Sequence, residues 1–322
     1  MVKIVYCHIL KRAATWVKDN PAILVLLFMV VLGATTSDVF FTWANISNLL
    51  NRICINGIMT VGFTCTLLVG GFDLSIGSSM ALSGLLCIGV EKSTGLPAAG
   101  MVAAIGAGAG MGLLNGILMK ITRGRFGEAF LITVGTNLVG LSIAMTYTRA
   151  SDLYGTGHPW YKALGQGTVG GFPVATLLWF GIMIAMQILI KKTKFGRDLL
   201  YTGTNRNAAY LSGINVNNKL IISFTLAGIF AAVSGILMAA RTTAASPQSG
   251  VGADFDAAVS TIIGGNSIVD GRGGMLQVLM GVLIYGLITN ILNLLGVASV
   301  VQYIIKGLIL LFAICLDMLR KR

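Results

Sequence analysis

The stretch Gly70-Gly71-Phe72-Asp73-Leu74-Ser75-Ile76-Gly77-Ser78 (GGFDLSIGS) decides how the rest of the chain is read. It interrupts an apolar run extending from residue 53 to residue 90 with paired glycines, one carboxylate and two serines. A carboxylate at membrane depth costs several kcal/mol and persists only where it faces protein or water. Gly70 and Gly71 followed by a helix-starting Ser75 or Ser78 suit a discontinuous helix, whose freed backbone groups must line a cavity or be buried in protein. A short loop at the membrane surface, with Asp73 as a solvated helix cap, fits the same residues. The sequence leaves both readings open.

Composition supplies the membrane setting. Of 322 residues, 55% are hydrophobic and only 11% charged, and the mean hydropathy is +0.85. Soluble domains carry about 25% charged residues, so this chain lacks the charge to coat a surface in water. A soluble enzyme and a disordered tail are both excluded. The 42 glycines fit close approach of membrane helices, which no hydrophobic effect draws together. Charge-free intervals run 20–37, 53–72, 74–90, 93–119, 129–148, 163–190, 220–240, 257–269, 273–305 and 307–316. A bilayer core takes about 20 apolar residues per helix, so 74–90 and 257–269 are short. The Gly-rich GQGTVGGFP places the start of the 163–190 helix near Val174, and Gly296 to Ser299 offers a turn inside 273–305. The expectation is an all-α polytopic membrane protein, one transmembrane domain over residues 1–322, with about ten transmembrane segments, some discontinuous.

The 23 Lys and Arg outnumber the 11 Asp and Glu, giving a net charge of +12. Most of the basic residues fall on alternate connections: Lys3 to Lys18, Lys120 to Arg125, Lys191 to Lys219, Arg272, and Arg320 to Arg322. Arg52, Lys92, Arg149, Lys162 and Arg241 fall on the others. By the positive-inside rule this implies an even number of crossings and both termini in the cytoplasm. The basic excess is a topology signal and not a nucleic-acid footprint. Lys11, Arg12 and Lys18 precede an apolar run from Pro21 with no small-x-small site after it, which reads as an uncleaved first helix. The five cysteines form no C-x-x-C pair, and Cys54, Cys65, Cys87 and Cys315 sit in apolar stretches as small hydrophobes. With only His8 and His158 available, no metal cluster is expected. There is no G-x-x-x-x-G-K-[ST] sequence either, so any ATP is used on another chain.

Three further features stand out. Ile262 to Gly274 (IIGGNSIVDGRGG) repeats the form apolar, Gly-Gly, polar, Gly, helix in the second half of the chain. Corresponding Gly-interrupted segments point to internal repeats and a midplane pathway. The cytoplasmic loop Lys191 to Lys219 contains Asn205-Arg206-Asn207-Ala208-Ala209-Tyr210-Leu211, a short amphipathic helix bracketed by Gly203 and Gly213. Such a helix can dock in a groove of a soluble partner or lie on anionic lipid. Gly106, Gly108, Gly110, Gly112 and Gly116 are expected to form one packing face. Asn290, Asn293, Gln302 and Lys306 should face the bundle or a pathway, as Gly70, Gly71, Asp73 and Ser75 should at the first break.

At these places the sequence resembles the permease subunits of bacterial ABC importers for ribose, galactose, xylose and related sugars. Four blocks carry the resemblance: Asn45 to Leu50 with Gly70 to Ser78, Thr193 to Val216, Asp256 to Gly274, and Leu292 to Asp317. It implies a multi-pass protein of the bacterial inner membrane, with two permease subunits, the same or related, forming the pore. It also implies a separate ATP-binding ABC ATPase holding ATP and Mg, and a periplasmic sugar-binding protein. No catalytic residue and no cofactor belongs to this chain in such an arrangement. Residues 191–219 become the coupling loop, with Gly203, Asn205, Asn207, Ala208, Ala209, Leu211 and Gly213 as the coupling residues. The chain departs from the family pattern at Thr122 to Glu128, where a proline pair is usual, and at Asp270, where a small residue is. Import of a monosaccharide is the leading reading. The same machinery could carry a nucleoside, a polyol or a sugar-derived signal, and an ion-coupled secondary carrier using Asp73 is the reading from another class. An intramembrane enzyme has no nucleophile–base pair or metal set to use.

The charge distribution predicts that Lys162 and Gln248 face the outside. Lys162→Cys and Gln248→Cys should each react with a membrane-impermeant maleimide in intact cells. Protection of both until lysis contradicts the topology.

Overall fold

The computed structural model describes residues 22–124, 126–267 and 273–319. These contain thirteen helices: α1 (Ala22–Thr36), α2 (Trp43–Leu68), α3 (Ile76–Thr94), α4 (Pro97–Ile121), α5 (Phe126–Thr148), α6 (Pro159–Gln166), α7 (Val174–Lys192), α8 (Lys194–Thr204), α9 (Arg206–Leu211), α10 (Val216–Thr242), α11 (Ala253–Ile263), α12 (Met275–Leu294) and α13 (Ser299–Leu319). Ten helices, α1–α5, α7 and α10–α13, occupy the hydrophobic intervals, with 273–305 holding α12 and the start of α13, while α6, α8 and α9 lie in connections. The turn ahead of α13 falls at Leu295 to Ala298, with Gly296 at φ +70°. Lys306 therefore sits inside one continuous helix and marks no boundary.

α4, α5, α7, α10 and α12 are long and apolar enough to cross a bilayer individually. α2 has a different composition for a physical reason. It runs through the centre of the bundle, and from Ile53 to Leu68 every residue except Asn56 is buried. A helix enclosed by other helices needs no lipid-compatible face, so it tolerates polar side chains that bond internally. Thr60 and Thr64 donate to the carbonyls one turn back, at 2.7 and 2.8 Å.

Glycines set the closest helix contacts. A Cβ on Gly108, Gly112 or Gly116 of α4 would collide with the backbone of α10 at Gly228, Phe224 and Ile221. Gly106 and Gly110 instead face open space. The expected single face of five glycines therefore divides, because residues two apart lie on opposite sides of a helix. The same device joins α11 to α12, where Gly264 meets the Gln277 carbonyl and Gly281 meets that of Ser260.

Among the described residues there are also four two-residue strands, which the all-α expectation did not contain. β1 (Leu153–Tyr154) pairs antiparallel with β4 (Ala244–Ala245), and β2 (Thr168–Val169) with β3 (Phe172–Pro173). With α6 they form a lid at one end of the bundle. α6 turns Tyr161 and Gly165 inward, and the Tyr161 hydroxyl lies 2.9 Å from Cys87 Sγ. Cys54, Cys65 and Cys87 are buried and free, as small hydrophobes would be, whereas Cys315 is exposed on α13. Cys7 lies outside the described residues.

Gly108→Leu should destabilise the detergent-solubilised protein by at least about 1–3 kcal/mol, the usual range for overpacking. Gly110→Leu should leave its thermal midpoint unchanged. Equal effects of the two variants would contradict the packing described.

Candidate functional site

The first break begins where α2 ends at Leu68. Gly70 adopts φ +73°, and the Gly70 and Gly71 amides donate to Leu67 and Thr66 carbonyls, both at 2.9 Å. That closes the helix end without water. The chain then runs extended to Ile76, where α3 starts. Asp73 Oδ1 accepts from the Ser75 amide at 2.8 Å and the Ser75 hydroxyl at 2.7 Å. Asn115 of α4 donates to Ser75 Oγ at 2.7 Å. Thr133 of α5 accepts from the Leu74 amide at 3.1 Å and donates to the Phe72 carbonyl, and Asn137 Oδ1 accepts from the Ser78 amide. Asp73 and Ser75 are each 1% exposed. Of the two sequence readings, the solvated surface cap is therefore the wrong one. Ser75 occupies the cap position of α3, but its side chain bonds Asp73 and no helix amide.

The second break repeats the device. Gly265, after α11, has φ +100°. Asn266 Oδ1 accepts from the Gly274 amide at 2.8 Å, and Gln187 of α7 accepts from the Met275 amide at 3.2 Å. In each half a left-handed glycine ends one helix, and a short polar side chain receives a freed amide before the next helix. Asp270 lies outside the described residues.

The 191–219 loop folds as two helices, α8 and α9. Gly203, expected as a bracket, is in the last turn of α8, and Asn205 separates the helices at φ −155°. Asn205 ends α8 and caps α9, accepting from the Ala208 amide at 3.0 Å. Gly213, at φ +80°, closes α9, with the Ile214 amide donating to the Ala209 carbonyl at 3.0 Å. Asn207, Ala208, Tyr210 and Leu211 are exposed, Leu211 to 84%. Ala209 is 3% exposed and packs against the permease itself. The outward apolar surface of α9 is therefore Tyr210 with Leu211.

This segment is braced from two sides. Lys219 of α10 pairs with Asp198 of α8 at 3.0 Å and lies over the Phe195 ring. Arg206, the first residue of α9, donates to the Gly124 carbonyl after α4 and to the Val69 and Gly70 carbonyls at 3.3 and 3.4 Å. The two regions singled out separately in the sequence thus touch, with Gly203 against Gly70 and Arg206 bridging them. Arg206 itself carried no sequence signal beyond a lone cation in a short neutral helix. Gly124 lies within the Thr122–Glu128 departure, which this contact puts at the same end of the bundle.

The remaining polar candidates bond one another. Asn290 exchanges amide hydrogen bonds with Asn45, at 2.8 and 3.2 Å. Gln302 donates to Asn293 at 3.0 Å and to the Val297 carbonyl at 2.9 Å. They tie α2, α12 and α13 at the end opposite α9.

A bundle of apolar helices, broken twice with internally satisfied ends and carrying a braced helix outside it, is that of a multi-pass membrane protein, and its relatives make it a permease of the inner membrane. The chain belongs to the family described as the permease component of the branched-chain amino acid transport system, matched over residues 45–314. It is 34% identical to the ribose import permease of Escherichia coli K12, over 94% of each chain. It is 35% identical to the ribose import permease of Bacillus subtilis 168, over 91% of this chain and 90% of that one. With the D-allose transport system permease of Escherichia coli K12 it shares 30% identity, over 95% of this chain and 93% of that one. No solved structure matches it.

Two outcomes follow from the bracing. Hydrogen bonds to charged groups contribute about 1.5–3 kcal/mol, so Arg206→Met should speed amide hydrogen exchange across 66–72 and 122–128 at least about ten-fold. Unchanged exchange contradicts the link. Asp73→Asn, which keeps the Oδ1 acceptor, should fold near normally, whereas Asp73→Leu should cost about 1–3 kcal/mol in thermal unfolding. Equal stabilities would refute that role.

Proposed function

We propose that the chain is the pore-forming permease of an ATP-driven monosaccharide importer, taking a ribose- or galactose-like sugar across the bacterial inner membrane. ATP hydrolysis, with its Mg, takes place on a separate ABC ATPase. A periplasmic binding protein delivers the sugar, and a second permease subunit completes the pore. The family description names amino-acid transport, but the relatives matching from end to end are named for ribose and D-allose. That end-to-end identity supports a sugar as cargo. The same machinery carrying a nucleoside, a polyol or a sugar-derived signal is the alternative.

In this reading the ten apolar helices α1–α5, α7 and α10–α13 are membrane segments and both termini are cytoplasmic. Helix α9 is the part the ATPase grips. A mechanical link must be stiff, must present a compact face, and must connect to helices that move. The Asp198–Lys219 pair and Arg206 supply stiffness, and Tyr210 with Leu211 supply the face. Arg206 carries displacement directly to the end of α2 and so to the break at Asp73. The exposure of Leu211 on a helix otherwise fixed to the bundle is the observation that best supports this docking.

Leu211→Asp would place an unpaired charge in the partner's groove, a change that costs a few kcal/mol at a buried anchor. The ATPase encoded with this permease should fail to copurify with Leu211→Asp, while membrane insertion stays intact. Ala209→Asp should instead lower the yield of folded permease. Normal copurification with Leu211→Asp would sink the assignment.

A further inference from the structure

In the half of the bundle away from α9, two adjoining cavities meet at Arg52 and Asn56 of α2 and Asp256 of α11. The more open one, of about 430 Å³, lies between α2, α10 and α11 and has Arg241 and Thr242, at the C-terminal end of α10, in its wall. Those residues stand about 37 Å along α10 from Val216, where the helix leaves the coupling segment. The smaller cavity, of about 140 Å³, extends toward α12 and α13 past Tyr285 and Lys306.

The chamber's polar residues are held by a defined set of hydrogen bonds. Ser260 has one hydroxyl proton, and it goes to the Asp256 carbonyl at 2.7 Å. Ser260 Oγ can therefore only accept from Asn56, which donates through Nδ2 at 3.0 Å. This fixes the Asn56 amide, and its Oδ1, on a residue lining both cavities, is buried with no hydrogen-bond partner among the described residues. A buried carbonyl oxygen left so is costly and calls for a donor. The Asp256 carboxylate is fixed by Tyr285 Oη and by Lys306 Nζ, 3.2 Å from both oxygens. Lys306 is in turn boxed by the rings of Tyr285 and Tyr303, at 5.2 and 5.5 Å. Arg52 stands exposed at the junction as a free-reaching donor. Met59, Met80 and Met238 supply an apolar wall.

Fixed acceptors, a donor and an apolar wall lining the same cavities match a molecule whose hydroxyls both donate and accept and whose ring has a C–H face. We propose that this chamber is a station for a neutral monosaccharide on the import pathway. Asn56 Oδ1 and Asp256 accept hydroxyl protons there, and Arg52 donates to hydroxyl oxygens. The proposal rests on the sugar-import reading above, and it places the contacts on residues that reading does not name. The Asp256–Lys306 pair keeps the carboxylate aimed into the chamber by tying α11 to α13.

The test is uptake of radiolabelled D-ribose, D-galactose and D-allose by the full complex in proteoliposomes, with its ATPase and binding protein supplied. Asn56→Leu should lower the maximal uptake rate at least ten-fold, because the acceptor is gone. Asn56→Asp keeps an oxygen facing the chamber while losing the donation to Ser260, and should stay within about three-fold of wild type. Wild-type rates in Asn56→Leu overturn the station, and so does equal loss in both variants, which would mark Asn56 as a packing residue. Should Asn56→Leu fail to insert, Arg52→Met at the exposed junction carries the test with the same ten-fold threshold. A wild-type complex that takes up none of the three sugars overturns the sugar reading and the station with it.

Discussion

A backbone that leaves helical conformation inside a membrane protein exposes N–H and C=O groups where no water can satisfy them, and each unsatisfied group costs several kcal/mol. The rest of this structure depends on how that constraint is met at two places. At 70–76 the freed groups are taken by Asp73 from within the break, and by Thr133 and Asn137 from α5. At 264–275 they are taken by Asn266 and, from α7, by Gln187. The helices supplying these side chains are thereby fixed in position relative to the breaks. Asn115 joins the first network from the glycine face of α4, which is itself locked onto α10.

From this follows a continuous route between the two ends of the molecule. Arg206 attaches α9 to the end of α2, immediately before the first break. α2 then passes through the centre of the bundle to Asn56, at its middle, and Arg52 beyond it, where the polar chamber opens. α10 runs alongside, bonded to α8 through Lys219 at one end and contributing Arg241 to the chamber wall at the other. A displacement of α9 has two stiff helices along which to reach the chamber. Rigid elements with satisfied ends transmit motion, and loops with free ends would absorb it.

Much of this was legible in the sequence, and what was not has a definite reason. Hydropathy located all ten long helices, and the paired glycines located both breaks, because those signals are local. The glycine face of α4 was drawn too wide: composition counted Gly106 and Gly110 with their neighbours, and only helical geometry separates them. Ala209 and Leu211 looked alike as docking residues because a helix of six residues is too short for periodicity to assign its faces. The Arg206 contact joins residues 136 positions apart in the chain, and the partners of the break, Asn115 on Ser75 and Thr133 on Leu74, are likewise remote. The chamber was hidden for the same reason, since Asn56 and Asp256 lie 200 positions apart in the chain. Of the polar residues expected on a pathway, Asn290 and Lys306 line the smaller cavity, and Asp73 lies in the buried network around Ser75.

The central claim is that α9 conveys work from an ATPase on another chain, and that Asp73 holds a helix end and couples to no ion. The direct measurement is sugar uptake by the reconstituted complex, with ATP and the proton and sodium gradients varied independently. Uptake should require hydrolysable ATP and be indifferent to collapse of either gradient. Uptake driven by a proton or sodium gradient without ATP, and abolished in Asp73→Asn, would contradict it.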